Sequence, residues 1–348
     1  MKKYVFFRNR TLHITLWMII VPFCLNAQNA PGWVNNLENA FPGRDWIAVT
    51  AQGNSQSQAE SNAMNALARA FRTDVASLTQ ASQQFTQIVN NSQNSVNVNF
   101  NESSNFSQEI NTSSNIRGLI GVQIEVFRTG NTFYVCARMN RRESAARYSG
   151  MIRENSVVIG NLLANSGQNG TFETYARLSF AHALAQVTDN FQNILEVLDP
   201  SAANRRPAYG GANAVRTRMQ ECASLITVAV AFDTEQPSER TLLARAAGAF
   251  FRDRGFRINE QGQGNYILRA NVRFEGISQN VISCRYYFDA VLENSAGTAV
   301  FSFTENDRRA HPNSVSEARR LAVQGVENSI KEARFASEFD SWLNSFLD

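Results

Sequence analysis

The sequence predicts an α+β fold, with two small sheet-plus-helix domains joined by a helical hairpin. Three observations carry that expectation. Apolar and polar residues alternate over Leu119–Met139 and again from Tyr266 to Phe303, the period-two pattern of half-buried strands. Between these stretches, apolar positions recur every three or four residues through Ala145–Leu162 and Phe172–Leu198, as in packed helices. Ser201–Asn213 (SAANRRPAYGGAN) gathers Pro, Gly, Asn and Arg, and reads as a linker between domains. Strands and helices segregated in this way belong to α+β architecture.

The chain has 348 residues, 33 Lys plus Arg, 30 Asp plus Glu, three His and four Cys, and 43% of it is hydrophobic. At about 100–200 residues per domain, that length holds two or three. Met1–Ala27 reads as a secretory signal: Lys2, Lys3, Arg8 and Arg10 precede the apolar run Ile14–Leu25, and Ala27 offers a small residue for cleavage. The run is shorter than the roughly 20 residues that span a bilayer. Cys24 follows bulky Phe23 where a lipobox needs a small residue, so lipidation is not expected. Without the leader's four basic residues, 29 bases face 30 acids. That balance argues against nucleic acid as a partner. No transmembrane segment is expected after signal cleavage, which makes the product an exported one.

The elements follow in order from residue 28. A short lead-in (PGWVNNLENAFPGRD) precedes a strand at Trp46–Ala51, ended by Gly53, and a long Ala-rich helix from Ser57 with Ala59, Ala63, Leu67, Ala70, Phe71, Val75, Leu78, Phe85 and Ile88 as its stripe. Residues 90–115 then hold nine Asn and seven Ser, with no Lys, Arg or Pro. Val96, Val98 and Phe100 alternate with Asn there, so the stretch reads either as an extended β-arm suited to strand pairing with a neighbour or as a flexible polar loop. A hairpin follows, Leu119–Arg128 and Thr132–Met139, with Gly130-Asn131 in its turn. These parts make up a first domain, 28–148. Residues 149–200 form the helical hairpin, stopped by Asp199-Pro200, and 201–214 form the linker. The second domain, 215–348, reads β-α-β-β-β-α. Its strands start near Leu225, Tyr266, Cys284 and Ala299. Its first helix opens at Pro237, faces inward with Leu242, Ala246, Ala249 and Phe250, and ends at Gly255; its last opens with the capping box Ser314-x-x-Glu317.

The stretch Pro31–Tyr148 resembles the Lpp-twenty lipoprotein family of bacterial outer-membrane proteins. The resemblance lies in Pro31-Gly32-Trp33-Val34, in WIAVTAQGNSQSQAESNAMNALARAF, and in GLIGVQIEVFRTGNTFYVCARMNRRESAARY. It implies a non-enzymatic envelope protein at the periplasm or outer-membrane periphery, taking part in an assembly with protein partners or with copies of itself. The chain departs from the family in its missing lipobox and its Asn/Ser-rich insertion. The second domain's strand and helix order is similar to that of the TolB amino-terminal module and the curli secretion channel. A periplasmic regulator or ligand-binding module for cell-wall enzymes or an export channel is the alternative reading.

Chemistry is sparse. His182 sits mid-helix and His311 precedes Pro312 in a charged loop, and both read as structural residues. There is no HExxH, CxxC, Walker loop or GxSxG, so no catalytic residue, cofactor or metal is expected. Cys222 and Cys284 either bridge or stay two buried thiols, and spacing leaves both states open. Arg138, Arg141, Arg142 and Arg147 read as helix-end and surface charge. Phe335, Phe339, Trp342 and Phe346 form a stripe that either fills a partner's groove or docks the last helix on its own domain.

Overall fold

The computed structural model describes residues 30–71, 83, 119–167, 169–259, 262–278, 282–311 and 314–347. The leader and the 90–115 stretch with Val96, Val98 and Phe100 lie outside the described residues, as do Val75, Leu78, Phe85 and Ile88.

Two short helices, α1 (Gly32–Asn35) and α2 (Leu37–Ala40), lead into β1 (Trp46–Gly53) and α3 (Gln56–Ala70). The Ser55 side chain caps α3 by accepting from Gln58 N, and Ala59, Ala63 and Leu67 are buried. These alanines let α3 lie close to the strand. At Gly53 the approach is so close that a Cβ would sit 2.6 Å from Ala59 N. The hairpin is present as β2 (Gln123–Thr129) and β3 (Thr132–Asn140), with Gly130 at φ 57° in its turn. β1 pairs antiparallel with β3, so the sheet order is β1-β3-β2.

The helical hairpin comprises α4 (Arg141–Asn165) and α5 (Phe172–Leu198). Asn140 and Thr171 cap their amino ends by accepting from Glu143 N and Thr174 N. Arg141 closes the other end of α5: its Nη1 donates to Val197 O at 2.6 Å, while its Nε donates to Gly43 O at 2.9 Å. The 201–214 stretch is not a loose tether. It holds α6 (Pro200–Ala203), a Gly210-Gly211 turn with φ of 81° and 87°, and the start of α7 (Ala212–Leu225). No side chain next to α7 caps it; Asp189 on α5 accepts from Ala212 N at 2.8 Å instead.

The second sheet runs β5-β4-β6-β7-β8, built from β4 (Thr227–Asp233), β5 (Arg257–Asn259), β6 (Tyr266–Ile277), β7 (Ser283–Asn294) and β8 (Ala299–Ala310). β4 lies parallel to both neighbours and the other pairs are antiparallel. The three-residue β5 was absent from the expected order. Helices α8 (Pro237–Asp253) and α9 (Val315–Glu332) pack against this sheet. On α8 the buried face is Leu243, Ala246, Ala247, Phe250 and Phe251, with Leu242 38% exposed. Ala246 and Phe250 face inward as expected, whereas Leu243 and Ala247 take the places expected of Leu242 and Ala249, because adjacent Leu242-Leu243 and Phe250-Phe251 leave the phase open. The final helix is two helices: α9 breaks at Ala333, and α10 (Arg334–Asn344) and a 3-10 turn (Ser345–Leu347) follow. A buried network holds the break. Tyr286 and Ser329 hydroxyls donate to Glu305, and Phe335 N donates to Ser329 Oγ at 3.3 Å.

Two apolar cores result, and α5 belongs to both. Phe172 and Ala176 join the second core, while the helix from Phe180 to Leu198 builds the first. Leu347 returns to the first core after the chain has completed the second.

Candidate functional site

The aromatic stripe of the last helix faces inward. Phe335 and Phe339 are fully buried, and Phe339 meets Phe172, Phe250, Phe251 and Phe301 at ring-centroid distances of 5.4–5.7 Å. Trp342 and Phe346 pack partly buried against the same core. Of the two readings of this stripe, the geometry gives the docked helix; while docked, Phe335 and Phe339 offer no surface to a partner. Cys222 and Cys284 are free, buried thiols. Cys222 on α7 faces the Asn169 and Thr171 carbonyls, whereas Cys284 stands on β7 across from Gly276 and Arg309. Burial pushes all three described thiols up, Cys136 to about 11, which suppresses the nucleophilic thiolate.

The arginines that follow the hairpin divide by role. Arg141 is committed to the end of α5. Arg138 lies on the outer face of the first sheet, its guanidinium 4.3 Å from the Phe41 ring centre and 5.5 Å from that of Trp46. It pairs with Glu125 at 2.8 Å and donates to Gln123 Oε1 at 3.1 Å. On β3, Tyr134, Cys136 and Arg138 point away from the core that Val135, Ala137 and Met139 enter. Register sets Phe127 opposite Tyr134, with ring centres 6.2 Å apart. The outer face therefore carries Phe41, Trp46, Phe127, Tyr134 and Arg138, all half-buried. Trp, Tyr and Arg are the side chains that dominate protein–protein contacts. β2 borders this face as an edge strand: among the described residues only β3 pairs with it. The alternation on each strand of the hairpin is legible in the sequence. That Phe41 and Trp46 join the same face is not, because it depends on β1 pairing with a strand about 80–94 residues away.

A second polar group lies where α5 meets α7. Burial and Arg216 push the His182 pKa down, against a weaker opposing pull from Asp189. Burial raises the Asp189 pKa despite its bond from Ala212 N, and burial together with Asp189 raises that of Tyr209. The bond from Ala212 N to Asp189 ties the start of α7 to α5. His311 N donates to Ile282 O at 3.0 Å beside the end of β8. No group of His, Cys, Asp and Glu suited to a metal occurs among the described residues, and no helix there is long and apolar enough to cross a membrane.

No family model matches the chain, and no curated protein matches it. Among solved structures it is similar to the secreted protein HP1454 from Helicobacter pylori, at 12% identity and a TM-score of 0.37, over 82% of this chain and 97% of that one. A minor lipoprotein from Acinetobacter baumannii overlaps at 12% identity and a TM-score of 0.25, over 32% of this chain and 94% of its own. A Xanthomonas campestris protein of the DUF330 family overlaps at 17% identity and a TM-score of 0.25, over 34% and 83%. At these scores the overlaps carry no functional meaning for this chain.

Proposed function

We propose that this chain is an exported, non-enzymatic protein of the cell envelope, a structural or accessory component of a periplasmic or outer-membrane-associated assembly. The observation that carries the reading is the outer face of the first sheet: aromatic side chains around Arg138, beside β2, which among the described residues pairs only with β3. The secretory leader and the Lpp-twenty-like motifs between Pro31 and Tyr148 support the compartment. The groups that would otherwise suggest catalysis have structural work: Asp189 caps a helix, Glu305 holds a helix break, and the thiols are buried.

The test is the mass in solution of the purified protein, by size-exclusion chromatography with light scattering. A defined oligomer that dissociates to protomers on Phe127→Ser with Tyr134→Ser is the expected result. A monomer at every concentration sinks self-association. A photo-crosslinker at position 127, used in whole cells, then looks for a heterologous protein, and its failure to capture any sinks the contact surface as well.

A further inference from the structure

Between α4, α5 and the chain just past α6 lies a cleft of about 520 Å³, within the range of small-molecule sites. Its two ends differ in chemistry. Arg153 on α4 and Arg205 beyond α6 line it. Arg205 N donates to Ala202 O, but neither guanidinium has an ion pair or hydrogen bond with any described residue. Planar guanidinium groups without a carboxylate partner suit a carboxylate or phosphate on a ligand. Deeper in, Gln192 is held by its amide nitrogen, which donates to Ala203 O at 2.5 Å. That bond fixes the orientation of the amide, since reversing it would set oxygen against oxygen. Its Oε1 is left buried, with no donor among the described residues, and an acceptor in that state gains from a hydroxyl or N–H brought to it. Ile152 and Leu195 supply apolar wall between these groups.

Asp199 is the acid on the lining. Ser201 Oγ, Ser201 N and Ala202 N all donate to its Oδ1, and these bonds hold its carboxyl below the usual range. It stays charged, so two arginines less one aspartate leave one formal positive charge in the cleft. One anionic group matches that balance.

We infer that this cleft binds a small hydroxylated ligand with a single anionic group, of the sugar-acid or sugar-phosphate class, that group on Arg153 and Arg205 and a hydroxyl or amide N–H on Gln192 Oε1. The site lies on the helical hairpin, apart from the sheet face assigned to protein contact, so either assignment can fail without the other.

Isothermal titration of the purified protein with galacturonate, N-acetylmuramate, glucose-6-phosphate and glucose tests it. The anionic sugars are expected to bind with Kd at or below about 1 mM, and glucose at least about tenfold more weakly. Arg153→Gln and Arg205→Gln should each weaken the anions by about tenfold or more and leave glucose unchanged. Both side chains are exposed, so unchanged thermal midpoints would show that the fold is retained. A preference for glucose-6-phosphate over the two acids identifies phosphate as the anionic group and supports the site. Equal binding of glucose and galacturonate, no binding of any probe at about 10 mM, or undiminished binding by both variants overturns it.

Discussion

Glu305 and Asp189 are carboxylates drawn into the body of the protein, and they differ in what their removal should do. Glu305 is 8% exposed and accepts from both Tyr286 and Ser329. Glu305→Ala would strand two buried hydroxyls and release the turn at Ala333, a loss of about 2 kcal/mol in urea unfolding; a loss under about 0.5 kcal/mol would show that the network adds little. Asp189 should respond to the choice of substitute. Its pKa is raised because burial costs the charged form more than its hydrogen bonds return. Asp189→Asn keeps an acceptor for Ala212 N without the charge, and is expected to match or exceed the parent in stability at neutral pH. Asp189→Ala uncaps α7 and should lose about 1 kcal/mol. Equal losses in the two variants would contradict the cap. His182 sets a pH dependence. Its folded pKa lies below the ordinary 6.5, so the unfolded chain takes the proton first, and stability falls as the pH drops through about 6.5. Asp189 acts with the opposite sign as the pH falls towards 3.8. Comparing urea midpoints at about pH 7.5 and about pH 5.5, His182→Gln should flatten the decline; an unaltered slope would assign it elsewhere.

Among the elements, those whose signals are local were legible. α5 begins and ends at the residues its stripe and its Asp199-Pro200 stop indicate, and the second sheet's alternation places Tyr286, Phe288 and Leu292 inward as expected. α7 was missed because the group that starts it, Asp189, lies on another helix, and because Gly210 and Gly211 stand just before it and Asn213 in its first turn. The break at Ala333 was missed for a related reason: the Ser329 hydroxyl that accepts from Phe335 N beyond the break is itself bonded to Glu305, a residue on β8. The cleft shares this origin, since Arg153, Gln192 and Arg205 meet only once α6 has folded back against the hairpin. A close approach between elements also predicts an effect. Gly53→Ala would push β1 away from the first turn of α3, where no flexible side chain can yield, and should cost about 1–3 kcal/mol in thermal or urea unfolding. A neutral substitution would mean that the strand end can move freely.

At the scale of the molecule, the described residues form two apolar cores, and α5 contributes to both. Residues 201–214 carry part of α6 and the start of α7, with Ala212 N bonded to Asp189 on α5. Sharing a helix should make unfolding cooperative. Calorimetry is expected to show one transition, and Phe172→Ala, which removes a buried ring at the junction, should lower it as a whole by about 3–5 kcal/mol. Two resolved transitions, with only one moved by the substitution, would contradict a shared helix. The return of Leu347 has a further consequence, in the timing of assembly. A chain emerges from the ribosome amino end first, yet Leu347 takes its place in the first core about 150 residues after Leu198 has been made. The earliest core is thus closed by a latch delivered late, and until then it presents an unfinished apolar surface.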